Sequence, residues 1–358
     1  MSDVPERAGA KAEARPGAAP NLIGILYDFP QHDAGAGFEE AVRQGLQEVD
    51  LDRPVELLPR QAAGLPGGTA HDVHRKFDEL VDAGVLAIIG PAISDNGLLV
   101  RDWADAARVP CINYTGGEKT RSGFMFHYQV GSLAEEPILL AENLRARELH
   151  SAVVIHDKSP VGAAYVSAFE GACARTGVEV VGRSGISPLA EEAGAIVDRL
   201  RQPKPDALVY LGLGAASRAV SLAIADAGWD VTVVANSALM FGYARKDWRA
   251  GFDGWTYVDT VSDGNVRRQA LSERSPKSAA GPVGVAAYDI GRLLAEALAR
   301  AVHLTGDGVK EALEDVKRLP AATGYEGTTM GFGNYDHAAL KGGYLVLRQW
   351  KDGKTVEL

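Results

Sequence analysis

One unit, present twice about 120 residues apart, does most to limit what this chain can fold into. The first copy, Val85 to Gly116, reads VLAIIGPAISDNGLLVRDWADAARVPCINYTG. The second, Ala207 to Ala238, reads ALVYLGLGAASRAVSLAIADAGWDVTVVANSA. In each, a short apolar run ends in glycine (Gly90, Gly212), a helix-compatible stretch carries Ala-Asp-Ala (Ala104 to Ala106, Ala225 to Ala227), and a second apolar run ends in asparagine (Asn113, Asn236). This pattern predicts strand, crossover helix and parallel strand, repeated. Ligands of open α/β sheets bind beyond the carboxyl ends of the strands, so two such units predict two Rossmann-like lobes facing each other across a cleft.

A chain of 358 residues exceeds one ordinary core and suits two α/β lobes. With 46% hydrophobic and 23% charged residues it is globular in composition, and the net charge of −10, without a basic run, argues against nucleic acid. Cys111 and Cys173 read as two small buried thiols, with a disulfide as the alternative. Residues 1–20 are Ala, Gly, Pro and charge, with neither an apolar core of signal-peptide length nor a lipid-anchor cysteine. They read as a disordered tail of a cytoplasmic protein; a chain that had lost its export signal would be periplasmic or extracellular. No stretch approaches the roughly 18 apolar residues of a membrane span.

From Asn21 the alternation is regular. Strands are expected at 21–27, 55–59, 124–130, 151–157, 178–183 and 255–261, besides those of the repeated unit, with helices near 38–49, 69–83, 162–176, 191–200, 284–302 and 308–316. A polar loop follows Ser262, and residues 342–358 read as a hairpin turning at Asp352-Gly353. The trailing elements return to the earlier lobes. The expected division is therefore 21–131 with 264–330 in the first lobe, and 132–263 with 331–358 in the second. Several crossings of this kind make a multi-strand hinge.

The order of elements carries a further signal. Val81-Asp82-Ala83-Gly84-Val85 leads into Ile88-Ile89-Gly90-Pro91, Ala104 to Pro110 precedes a strand, His156-Asp157 ends one, and Tyr288-Asp289 lies in a late helix. In these residues the chain resembles the leucine/isoleucine/valine-binding protein family, type I periplasmic binding proteins that serve as substrate receptors of branched-chain amino acid ABC transporters. The resemblance implies a ligand site in the first lobe at Ser94, Tyr114, Thr115, Gly116 and Gly117. Ser94 is also placed to cap the following helix, which would make an anion site of its hydroxyl and the free N–H groups. In the second lobe, amino-acid-binding members close two Tyr and one Glu over the ligand. The matching positions here are Val161, Leu213 and Asn236. An ammonium buried there without an anion would cost several kcal/mol, roughly, so a carboxylate or neutral ligand with an apolar body is expected. Asp28, Asp33 or Glu118 would be the alternative source of charge. In the loop after the first strand, Tyr27 and Phe29 are candidates to stack on a ligand, while Trp255 is expected in the core or hinge.

Other signals fall short. Gly212-Leu213-Gly214-Ala215-Ala216-Ser217 imitates a dinucleotide fingerprint, but Ser replaces its third Gly and no acidic residue ends the next strand. His71 and His74 lie one helical turn apart without a third metal ligand nearby, and His156-Asp157 has no nucleophile motif to serve. No enzyme, cofactor or metal is expected. Two functions are: a solute receptor partnered by an ABC permease, without membrane insertion of its own, or a cytoplasmic ligand sensor of the same fold partnered by a regulatory protein.

Overall fold

The computed structural model describes residues 19–28 and 34–358. Five short apolar runs of the first lobe fold as strands in an alternating series: β1 (Asn21–Tyr27), α1 (Ala34–Leu46), β2 (Val55–Gln61), α2 (Ala70–Asp82), β3 (Ala87–Ile89), α3 (Ser94–Ala107), β4 (Cys111–Asn113) and β5 (Met125–His127). All pair in parallel, in the order β2-β1-β3-β4-β5. Central β1 is buried almost throughout, as a parallel strand with helices on both faces must be, and its sequence NLIGILY is correspondingly apolar.

The second lobe repeats the plan with α4 (Glu136–Ala146), β6 (Ser151–Asp157), α5 (Pro160–Thr176), β7 (Glu179–Ile186), α6 (Ala193–Leu200), β8 (Ala207–Leu211), α7 (Ser217–Asp226), β9 (Thr232–Ala235), α8 (Phe241–Ala244) and β10 (Thr256–Asp259). Its parallel strands run β7-β6-β8-β9-β10, the same winding as the first sheet. Each sheet therefore reverses direction at one switch point, between β1 and β3 and between β6 and β8, where such sheets open a crevice. Helix α5 shows how local sequence sets these bounds. Ser159 accepts from Gly162 N at 3.0 Å, Pro160 fills the first turn, and Gly177 ends the helix in the left-handed region at φ 76°.

The chain then returns to the first lobe with α9 (Val266–Arg274), α10 (Pro282–Arg300), α11 (Gly306–Glu314) and a small sheet of β11 (Leu319–Pro320), β12 (Thr329–Met330) and β13 (Leu340–Lys341). It ends in the hairpin β14 (Val346–Lys351) and β15 (Lys354–Glu357), antiparallel on the second sheet, with positive φ at both Asp352 and Gly353. Helices α8 and α9 and the small sheet have no counterpart in the sequence pattern. Helix α9 buries only Leu271, too little to leave a periodic stripe, although Asn265 caps it by accepting from Arg267 N and Arg268 N at 3.0 Å. The two-residue strands β11 to β13 are too short to show alternation.

The small sheet also moves the expected boundary at residue 331. Phe332, Ala339 and Leu340 join the first core, and Ala339 N donates to His127 O at 2.8 Å. The final crossing therefore falls after Lys341. Side-chain bonds brace the chain around these crossings. Tyr128 Oη donates to Asp289 and lies 2.7 Å from Thr323 Oγ1, and Gln129 exchanges bonds with the Leu340 backbone. Buried Asp259 accepts from the Tyr243 and Tyr257 hydroxyls at 2.7 and 2.9 Å. Among the described residues no helix is long and apolar enough to cross a membrane.

Candidate functional site

At each switch point the first strand of the lobe ends in an aspartate, and each aspartate does the same work. Asp28, after β1, accepts from Ala92 N and Ile93 N at 2.9 Å each and from Asn96 Nδ2 at 2.8 Å. Asp157, ending β6, accepts from Leu213 N and Gly214 N at 2.6 and 3.2 Å and from Tyr210 Oη at 2.5 Å. The strand-end glycine lets the chain come this close. A Cβ at Gly212 would stand 2.4 Å from Asp157 Cγ, and φ is +148° there and +113° at Gly90. Burial raises the pKa of both acids, that of Asp28 to about 6, against the pull of the amides that hold them.

The capping role expected of Ser94 does not hold. Ser94 is the first helical residue of α3, not its cap: Ile93 holds the cap position, and no side chain caps it. The amides just before it are already answered by the chain's own carboxylate.

Between the lobes lies a cleft of about 150 Å³. Its first wall is Ala92, Ser94, Tyr114 and Gly116, and its second is Val161, Tyr165, Leu213 and Ser237, with Val130 and Leu133 where the chain crosses. The walls meet closely: a Cβ at Gly116 would be 3.4 Å from Tyr165 Oη. No Lys or Arg is among the described residues that line it. The Tyr114 hydroxyl is buried with no hydrogen-bond partner among the described residues, and burial, followed by the nearby Asp28 charge, holds its proton on. A buried donor left unpaired costs about 1–3 kcal/mol, so its presence on a cleft wall marks a place for an acceptor.

The second wall has a polar support behind it. Glu136, wholly buried at the start of α4, accepts from Tyr165 Oη at 2.9 Å, from Ser132 N and Ser237 N at 2.6 Å, and from Ser237 Oγ at 3.1 Å. Burial outweighs these donors and raises its pKa to about 7. This buried carboxyl lies behind the wall that Val161 and Leu213 help to form and is not itself among the residues that line the cleft. It comes from an element 100 residues before Asn236 in sequence, where spacing gives no hint of it. Tyr165 had a signal: it lies four residues after Val161, on the same face of α5 one turn on, and supplies the phenol that position 161 lacks.

The remaining expected residues divide. Ser94, Tyr114, Gly116, Val161 and Leu213 come together on the cleft. Thr115 and Gly117 lie behind it: the Thr115 hydroxyl donates to Asn113 Oδ1 and accepts from Gly117 N, shaping the loop. His127 fixes the same loop. Burial lowers its pKa to about 3, Arg121 donates to its Nδ1, and its Nε2 proton goes to Thr115 O at 2.8 Å. Asn236 is wholly buried and clamps Gly212, donating to its O at 2.9 Å and accepting from its N at 3.2 Å, so it holds the strand end rather than a ligand. Tyr27 packs edge-on against Phe38 in the first core, and Trp255 lies in the second core. Glu118 accepts from Ser132 Oγ and Ala134 N. Phe29 and Asp33 lie outside the described residues. His74 stacks on Trp103, and among the described residues no cluster of His, Cys, Asp and Glu could hold a metal.

A family model described as periplasmic binding protein matches residues 23–354. Among solved structures, an ABC transporter substrate-binding protein from Desulfitobacterium hafniense in complex with Leu is 18% identical over 95% of this chain and 100% of its own, with a TM-score of 0.79. A periplasmic binding protein type 1 from Bordetella pertussis Tohama I gives the same identity, coverage and TM-score: 18%, 95% and 100%, and 0.79. A leucine binding protein from Thermotoga maritima is 16% identical over 94% of this chain and 97% of its own, with a TM-score of 0.75. At this identity the likenesses show the fold. No curated protein matches.

Proposed function

The chain belongs to the periplasmic binding protein family, and on that premise we propose that it is the ligand-binding component of an ABC-type uptake system. Its two lobes close on a small molecule with an apolar body and a carboxylate or neutral polar end, and the closed form is what a membrane permease reads. The observation that carries this is the cleft itself. Both walls come from strand-end loops of the two lobes, apolar Val161 and Leu213 face the polar loop of Ser94, Tyr114 and Gly116, and the buried Tyr114 hydroxyl lacks a partner among the described residues. A space of about 150 Å³ matches the size at which an engineered apolar cavity takes up benzene, so the apolar body is small. Three crossings between the lobes form the hinge on which ligand shifts the population from open to closed.

A thermal-shift screen of aliphatic and aromatic amino acids, carboxylates and amides tests this. At a hundredfold excess over Kd, a ligand selective for the folded state adds about 2.7 kcal/mol. Over 358 residues that is a rise of roughly 3–4 °C in Tm. If no member of the three classes moves Tm, the proposed ligand class is wrong.

A further inference from the structure

Helix α9 is fixed to the first lobe through one buried side chain, Leu271. Its other apolar residues, Val266 and Ala270, recur at four-residue spacing with Arg274, so the three share a face, and Arg267 flanks it. That face is one wall of a groove of about 740 Å³, far larger than the 150 Å³ between the lobes. The opposite wall belongs to the segment that carries the small sheet, with Pro320 and Ala321 presenting apolar surface. Asn265, just before α9, fastens the two walls together by donating from Nδ2 to Ala321 O at 3.0 Å and to Gly324 O at 3.1 Å. Glu326 adds a second tie, accepting from Val266 N at 3.0 Å. The groove is therefore built into the lobe, and its volume lies in the range of small-molecule sites, about 300–1,000 Å³.

Its charges are unevenly spent. Glu48 Oε1 accepts from Tyr288 Oη at 2.8 Å and from Arg274 at 3.0 Å, so these two groups already serve it. The Glu326 carboxylate is engaged at the amino end of α9, where the helix dipole favours an anion. Arg267 has less. Its guanidinium comes no nearer to Glu48 than 3.8 Å, and its side chain makes no hydrogen bond among the described residues. Val266, next to it on the groove, is 59% exposed. A planar guanidinium with uncommitted N–H groups beside apolar surface suits a carboxylate on an apolar body. Because Glu48 and Glu326 also line the groove, a second negative charge on the ligand would be repelled.

We infer that this groove is a second ligand site, separate from the cleft between the lobes, for a monocarboxylate whose apolar body is larger than the cleft admits. Arg267 pairs with the carboxylate, while Val266, Ala270, Pro320 and Ala321 cover the body. The site does not depend on the proposed function.

Three probes with one naphthalene body test it by titration calorimetry: 1-naphthylacetate, its neutral amide 1-naphthylacetamide, and the dianion 1-naphthyl phosphate. The titrations use the wild type and V161W, in which an indole fills the cleft. Both proteins are expected to bind naphthylacetate with the same affinity, at least about tenfold more tightly than the amide or the phosphate. R267Q is expected to weaken naphthylacetate by at least about tenfold, and V266D, at an exposed position, by a similar factor. R218Q, on α7 of the second lobe, should leave it unchanged. If V161W does not fold, R267Q against R218Q in the wild-type background makes the same distinction. Absence of naphthylacetate binding, an affinity that R267Q leaves unmoved or R218Q lowers equally, or an amide or phosphate that binds as tightly overturns the inference and leaves the proposed function standing. Binding to the wild type that V161W abolishes would place the acid in the cleft, which overturns the second site while supporting the first.

Discussion

The strongest quantitative consequence of this site concerns Glu136 and pH. Burial raises its pKa from an ordinary 4.5 to about 7 in the folded chain. A rise of that size corresponds to roughly 3–4 kcal/mol. Because the folded value lies above the unfolded one, the folded state binds this proton more tightly. The associated stability is fully present below pH 4.5 and is lost as pH rises through 7. For 358 residues, the unfolding entropy of about 0.75 kcal/mol per degree converts that loss to roughly 4–5 °C in Tm. Glu136→Gln has no proton to lose. Scanning calorimetry of both proteins from pH 4.5 to 8 should therefore show the wild-type Tm falling relative to the variant by about 4–5 °C. Asp28, raised to about 6, titrates in the same window but is present in both and cancels in the difference. Parallel Tm curves would refute the assignment of Glu136 as a buried, proton-linked carboxylate.

Two further substitutions test the cradles. Asp28→Ala leaves Ala92 N, Ile93 N and Asn96 Nδ2 without their acceptor, and urea unfolding should register a loss of about 2–4 kcal/mol near pH 7; an unchanged midpoint would mean the cradle contributes nothing. Gly212→Ala places a Cβ 2.4 Å from Asp157 Cγ at a φ of +148°, and should cost about 3 kcal/mol or more by the same measurement, whereas Gly84→Ala, whose Cβ would meet nothing within 4 Å, should cost less.

The repeat disclosed the architecture because parallel sheets covered on both faces need nearly continuous apolar runs, and β1, β6 and β8 have them. It also foretold that strands end at Gly90 and Gly212. What it could not show was the partner of each glycine turn. Asp28 and Asp157 reach their amides across about 55 to 65 residues of chain, and Glu136 reaches Ser237 across 101. Such pairings are fixed by the winding of the sheet and not by local spacing. Asn236 illustrates the same limit: as the end of an apolar run it reads as a ligand contact, yet it is wholly buried and bonds the neighbouring strand end at Gly212. Tyr165 was legible in principle, since helical periodicity places it beside Val161, but only once the direction of α5 toward the cleft is known.

That a ligand occupies this cleft is tested most directly by blocking it. Val161→Trp projects an indole from the second wall into a space of about 150 Å³. Calorimetric titration with the strongest screening hit should show binding lost by at least about a hundredfold, while the cost of overpacking at a wall of the cleft stays within roughly 1–3 kcal/mol of stability. A folded variant that binds this ligand with wild-type affinity would contradict the account.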